Sequence, residues 1–149
     1  LPGLRIGWIA SKNSEILSRI ALLKDYTTIC ASAPREILAI IAVARREEIV
    51  AEQLVRLRKN LSVLDEFFAH YADLFSWNRP LGGSICFPRL LISQNADEFC
   101  RDLVKEAQIM LVPSSLFQFG NRHVRIGFGR ENLPAGISHF GNYLSKRFH

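Results

Sequence analysis

Two arginines occupy positions where a charged side chain needs a reason. Arg5 stands in the run LPGLRIGW and Arg125 in HVRIGFGR, each among β-forming residues and flanked by glycine. In both runs the alternation places the arginine where core is expected. Burying an unpaired guanidinium is very unfavourable, so each of them needs an anion. The planar fork of arginine suits phosphate or carboxylate better than the point charge of lysine does. For either residue alone, an ion pair with Asp or Glu, or an edge-strand arginine facing solvent, is the alternative. Taken together, and beside glycines that let a ligand approach the backbone, they point to two anion sites.

Other chemistry finds less support. Lys12 follows the first apolar run but has ordinary polar neighbours, and it reads as a surface lysine rather than an imine-forming one. The histidines, His70, His123, His139 and His149, are scattered, with no Ser/His/Asp or Cys/His arrangement and no paired carboxylates. The three cysteines, Cys30, Cys86 and Cys100, lack CxxC or CxH spacing, so neither a disulfide framework nor a metal site is expected. They read as buried free thiols of a reducing, cytoplasmic setting. GFGREN, residues 127–132, has the place of a dinucleotide fingerprint between strand and helix. Its third glycine is replaced by Asn132 and only about one helix follows, so the likeness is read as chance.

The chain has 149 residues, 48% hydrophobic and 22% charged, with a formal net charge of +5. That is enough apolar side chain to offset ordering entropy, and enough length for one domain or a small domain plus part of another. The basic residues Arg45, Arg46, Arg56, Arg58 and Lys59 are interleaved with Glu47, Glu48 and Glu52. Such mixing reads as a solvated helix face with i,i+4 pairs rather than a nucleic-acid surface. No apolar run approaches the length of a membrane span and no signal-peptide pattern is visible, so no membrane partner is expected. The chain starts without methionine, inside an apolar run, as a piece of something larger would.

The elements that must carry the arginines follow from periodicity. Residues 4–10 read as a strand with Ile6, Trp8 and Ala10 on one face. Residues 11–13 offer a cap, and Ile16, Leu17, Ile20 and Leu23 give a helical stripe that ends near Lys24. Residues 25–32 are β-branched and polar, and are expected to be extended. Ser32 and Pro34 then open a helix with Glu36 in its first turn. Ile40, Val43, Val50, Leu54, Leu57, Leu61, Leu64, Phe68 and Tyr71 continue it at three- and four-residue steps, broken only at Glu47. A straight helix over 34–72 would be ~58 Å long against ~40 Å for a globule of this size, so it must bend, near residues 60–62, or leave one domain for another. A coiled coil is the second reading.

Beyond it, residues 74–77, a turn over 78–83, and residues 84–92 read as a hairpin. Asn95 with Glu98 starts a capped helix that Phe99, Leu103 and Ala107 continue. Residues 109–112 and 123–128 are strands. Leu133 and Pro134 open a final helix with Ile137, Phe140, Leu144 and Phe148 inward. Helices alternating with short strands define an α/β or α+β chain.

These segments, in this order, resemble a known family. LPGLRIGW resembles the run just after the catalytic lysine of class I/II, fold type I, pyridoxal-phosphate (PLP)-dependent aminotransferases. The helix after ICASAPRE resembles the one that joins their large cofactor domain to the small C-terminal domain. RPLGGSICFPRLL resembles their Pro-x-Gly-Gly-x-Phe segment, and IMLVPSSLF their Val-x-Pro-Gly-x-x-Phe segment. HVRIGFGRENL and the closing helix resemble the stretch that carries the substrate-carboxylate arginine.

The resemblance implies a remnant of the large domain over 1–33, a long connecting helix over 34–73 and a small domain over 74–149, with a mainly antiparallel sheet flanked by helices. It implies that Arg5 holds the phosphate of PLP and that Arg125 holds the α-carboxylate of an amino acid substrate. The implied reaction moves an amino group from an amino acid to a 2-oxo acid in a homodimer. No catalytic residue is assigned within the chain, because the imine-forming lysine is expected a few residues ahead of Leu1, and the chain alone is expected to be inactive without PLP bound.

Three departures stand out. Residues 26–30 carry no cation, so a second acidic group on the substrate is not indicated. Pro113 lacks the usual following glycine, and Pro88 interrupts the small-domain strand. A C–S lyase, decarboxylase or cyclising synthase on the same cofactor, and a non-catalytic basic interaction domain, are the other readings.

Overall fold

A buried asparagine in mid-helix, Asn60, ties a helix to the carbonyls of Phe128 and Arg130 in the C-terminal part of this chain. The computed structural model describes residues 1–28 and 30–148; Ile29, within the stretch expected to be extended, and His149 lie outside the described residues. The chain divides into two compact units, Leu1–Ala51 and Glu52–His149.

In the first unit, a 3-10 turn over Pro2–Leu4 opens the chain, and helix α1 spans Ser14–Thr27. The strand expected over 4–10 does not form. A strand needs a ladder partner for its N–H and C=O groups, none is present among the described residues, and Trp8 is 77% exposed. Asn13 caps α1, its Oδ1 accepting the Ile16 amide at 3.1 Å. The helix runs past the end expected at Lys24 because the Thr27 hydroxyl donates to the Leu23 carbonyl at 3.0 Å, holding residues 25–27 helical rather than extended.

Helix α2 spans Ala33–Ala44 and α3 spans Arg46–His70. The one continuous helix expected from Pro34 onward is therefore two. The interruption falls at Arg45 (φ −101°, ψ 19°), next to the lapse in the apolar stripe at Glu47. There the side chains are paired and solvated, Arg46 with Glu47 at 3.2 Å and Arg45 with Glu48 at 3.8 Å, and no apolar face holds the helix straight.

At residues 60–62, where a bend is expected, α3 is uninterrupted. Asn60 is 2% exposed. Its side-chain amide donates to the carbonyls of Phe128 at 2.8 Å and Arg130 at 2.7 Å. The residue that reads as a helix breaker is an anchor. Leu61, Leu64, Phe67 and Phe68 flank it on the buried face of α3 at the spacing an amphipathic helix requires.

The second unit continues with β1 (Phe75–Ser76), β2 (Ile85–Cys86), β3 (Arg89–Leu90), α4 (Ala96–Ala107), β4 (Val112–Pro113), β5 (Val124–Gly127) and α5 (Leu133–Phe148). The expected hairpin is not made as such. β1 pairs antiparallel with β3 (Phe75 opposite Leu90), while β2 pairs with β5 in a three-stranded sheet of order β2-β5-β4. Pro88 divides the run over 84–92. It has no N–H to give a ladder, so the chain leaves one sheet for the other there, and only its carbonyl is used, by the Val124 amide at 3.1 Å. All strand pairings are antiparallel.

The Asn95 cap is as expected, with Oδ1 accepting the Glu98 amide at 3.0 Å. The core of this unit is rich in rings: Phe67 stacks on Phe140 at 5.1 Å and Phe68 on Trp77 at 4.5 Å. Gly141 of α5 allows a close approach. A Cβ there would lie 3.3 Å from the Tyr71 hydroxyl, which donates to the Gly141 carbonyl at 3.0 Å.

Asn60→Ala strips the donor from two carbonyls, one of them buried. It should lower the unfolding free energy of the chain by about 1–3 kcal/mol in a urea titration. Ser62→Ala, on the exposed side of the same turn, should stay within about 0.5 kcal/mol of the parent.

Candidate functional site

β5 is the central strand of its sheet, and its alternation decides where the second arginine points. Val124 and Ile126 are buried at 0% and 4% exposure, so Arg125 and Gly127 take the opposite, open face. The expectation that Arg125 occupies a core position is corrected by one residue of phase: the strand buries the neighbours on either side of it. Nor is it an edge-strand residue. Val112 of β4 faces it directly in the register. Among the described residues no carboxylate lies within ion-pair distance of Arg125. Its guanidinium carbon lies 5.7 Å from the centroid of the Phe117 ring.

Phe117 ends a 3-10 turn over Ser114–Phe117. Ser114 is fully buried. Its hydroxyl donates to the Gly120 carbonyl at 3.1 Å and accepts the His123 amide at 3.2 Å, while its own amide donates to the His123 carbonyl at 2.9 Å. Serine in place of the usual glycine after Pro113 therefore ties the turn to the start of β5. Gly120 (φ +59°) supplies the left-handed residue that this loop needs.

Beside Phe117, the Phe87 ring stands edge-on at 6.1 Å and stacks on the His123 imidazole at 5.1 Å, with Phe119 also 5.1 Å from His123. Burial, and secondarily the Arg89 charge, hold His123 below the usual histidine pKa. The sequence marks Phe117 only as the last residue of the run that resembles Val-x-Pro-Gly-x-x-Phe, with no role assigned; its contact with Arg125, and the Phe87 and Phe119 rings beyond it, come from the fold.

Arg5 lies in the first unit. It follows the opening 3-10 turn in the left-handed region (φ 51°, ψ 34°), with its amide donating to the Pro2 carbonyl at 3.1 Å. Its side chain is exposed and has no acidic partner among the described residues. Its sequence neighbours Leu4 and Ile6, with Trp8, Ala42 and Val43 among others, line a cavity of about 360 Å³ to which Arg5 itself does not contribute. Arg5 and Arg125 thus belong to different units, each presenting an uncommitted guanidinium.

The remaining candidates do not join either arginine. Lys12 is exposed. Cys30 is exposed, contrary to expectation, while Cys86 and Cys100 are buried, and burial pushes their thiols up to about 12 and about 11. Neither buried thiol is a nucleophile near neutral pH. Among the described residues no group of three or more His, Cys, Asp or Glu side chains gathers to hold a metal ion, and no helix is long and apolar enough to cross a membrane. The GFGREN run is not a dinucleotide loop: Gly127 ends an antiparallel strand, and the next carbonyls go to Asn60.

The helices and small antiparallel sheets are of the kind found in the C-terminal part of fold type I PLP enzymes. The chain belongs to the family of class I and II aminotransferases, whose family profile matches residues 1–138. It is 29% identical over 140 residues to capreomycidine synthase of Streptomyces vinaceus, covering 93% of this chain and 36% of that protein. A PLP-dependent aminotransferase from Streptococcus suis superposes with a TM-score of 0.86 at 31% identity, covering 97% of this chain and 38% of that one. A PLP-dependent cyclase, OrfR, superposes with a TM-score of 0.86 at 30% identity, over 99% of this chain and 40% of that one. The chain thus spans well under half the length of these relatives.

The His123 imidazole should titrate below the ordinary value of 6.5 when its ring resonances are followed by NMR. Its pKa is depressed by folding, so the unfolded chain takes up the proton first. The stability that neutral His123 contributes is present above the unfolded pKa and is lost as pH falls through the folded one. Arg89→Gln should raise the midpoint only part of the way, because burial is the larger cause.

Proposed function

We propose that this chain is part of a PLP-dependent enzyme that transfers an amino group from an amino acid to a 2-oxo acid, with Arg125 binding the substrate α-carboxylate and Arg5 the cofactor phosphate. The observation that carries the reading is the Arg125 guanidinium on the open face of β5, with no carboxylate beside it. A charged fork left without a partner on a central strand is available for a bidentate carboxylate.

The donor set fits the cofactor at the one point this chain supplies. Arg5 is an exposed guanidinium without an acidic partner, suited to a phosphate dianion. PLP, when bound, supplies the electron sink for a carbanion at the substrate α-carbon. Arg5 would fix the phosphate and so limit drift of the cofactor. Arg125 would fix the carboxylate and so orient the bonds of the α-carbon. Such positioning is worth several kcal/mol of barrier in oriented reactions.

In this proposal residues 1–33 belong to a large cofactor domain, 34–73 link it to a small domain, and 74–149 form that small domain. The enzyme acts as a homodimer in the cytoplasm, in amino acid metabolism. The first unit supports the need for further polypeptide: its described residues include no buried side chain, and α2 leaves Ile37 and Ile40 exposed at 59% and 70%. Surface of that kind is covered in a working protein.

A second reading has its own support. Both capreomycidine synthase and the cyclase OrfR are similar to this chain at about the same identity as the Streptococcus suis aminotransferase. In that reading the same two arginines hold the same two anions, and the reaction closes a ring instead of passing the amino group on.

Product formation from amino acids, assayed in the protein that carries this chain, separates the two. Transfer should require a 2-oxo acid and consume it stoichiometrically; product formed equally well without one would overturn the transfer reading, and a ring-closed product would establish the cyclising one. Arg125→Gln should lower kcat/KM for the amino acid by about ten- to a hundred-fold. The 149-residue chain by itself, mixed with PLP, should catalyse no transfer and develop no enzyme-specific absorption band at about 420 nm.

A further inference from the structure

The Arg125 guanidinium has a ring against it and no acid beside it. Its carbon lies 5.7 Å from the Phe117 ring centroid. The ring quadrupole attracts a guanidinium without occupying any of its five N–H donors. A carboxylate neighbour would do the reverse, engaging the fork and competing with an incoming anion. The ring therefore restrains the cation while leaving its hydrogen bonds unspent.

The ring is itself held. Phe87 stands edge-on to it at 6.1 Å, with an interplanar angle of 83°, and is stacked in turn on His123 at 12°. The turn that presents Phe117 is fastened by the buried Ser114 hydroxyl, which bridges the Gly120 carbonyl and the His123 amide. Since His123 lies only two residues before Arg125, the turn and the arginine share one piece of backbone. Phe117 is 47% exposed, so core packing alone does not account for a large aromatic side chain there.

We propose that Phe117 is a positioning residue, its ring orienting the Arg125 guanidinium to receive a substrate carboxylate, with Ser114 fixing the turn that presents the ring. This rests on the reading of Arg125 as the carboxylate site. A leucine of similar bulk preserves the apolar contact and loses the quadrupole, whereas tyrosine keeps both.

The test uses the full chain, with ¹⁵N NMR of the Arg125 Nε–H, propionate as the probe and propionamide as the neutral control. In the parent chain the Arg125 Nε–H should carry a ring-current shift and respond to propionate but not to propionamide. Phe117→Leu should remove the ring-current shift and weaken propionate binding about two- to five-fold, while Phe117→Tyr restores both. Unchanged propionate binding in a folded Phe117→Leu chain overturns the role of Phe117. The reading of Arg125 survives that result if Arg125→Gln abolishes binding. Propionate binding that persists in Arg125→Gln overturns the reading of Arg125 and the role of Phe117 with it. Should Phe117→Leu fail to fold, absence of the ring-current shift in the parent chain is sufficient to overturn the proposal.

Discussion

Two carbonyls, those of Phe128 and Arg130, must find donors where β5 leaves its sheet, and Asn60 supplies both. The rest of the second unit depends on this tie. α3 is pinned to the connection between the central strand and α5, and the Phe128 amide is taken by the Ser84 carbonyl at 2.8 Å on the other side. An asparagine in a helix interior is a poor helix former. Its cost is offset because an unsatisfied buried carbonyl is worse than a propensity penalty of a few tenths of a kcal/mol. With the chain held where it leaves β5, β2 and β4 pair on either side of that strand.

The open face of β5 follows from that placement. A guanidinium can remain without an acidic partner there because it stays hydrated, whereas the same group one residue earlier or later would be buried among Leu, Ile and Phe. Around it the sheet gathers rings rather than acids. The neighbouring imidazole is held toward its neutral form by burial, so it adds little positive charge near neutral pH. The face thus carries the Arg125 guanidinium against the Phe117 ring, with the exposed Arg89 across from His123 in the neighbouring strand.

The first unit obeys a different constraint. α2, with the sequence APREILAIIAVA, is apolar around its circumference, yet no described residue of this unit is buried. Helices apolar on all sides belong inside larger assemblies. Relatives of which this chain covers 36–40% are long enough to supply the cover. Arg5, held by the 3-10 turn in a left-handed conformation, presents its side chain from the same unit.

What the sequence by itself determined was local. The caps at Asn13 and Asn95, the amphipathic faces of α3, α4 and α5, the mixed charges around Arg45 and the ordered family motifs were all legible, because each depends on neighbours within a turn or two of helix or on a short run. What only the tertiary structure decided was long-range. The phase that turns Arg125 outward, the exchange of strand partners at Pro88, the burial of Asn60 against the Phe128 and Arg130 carbonyls, and the ring of Phe117 against Arg125 are set by which segments meet. Strand pairing and side-chain burial between residues tens of positions apart leave no period in a single chain. A two-residue strand, or an asparagine that anchors rather than breaks a helix, acquires its meaning only from the partner it finds.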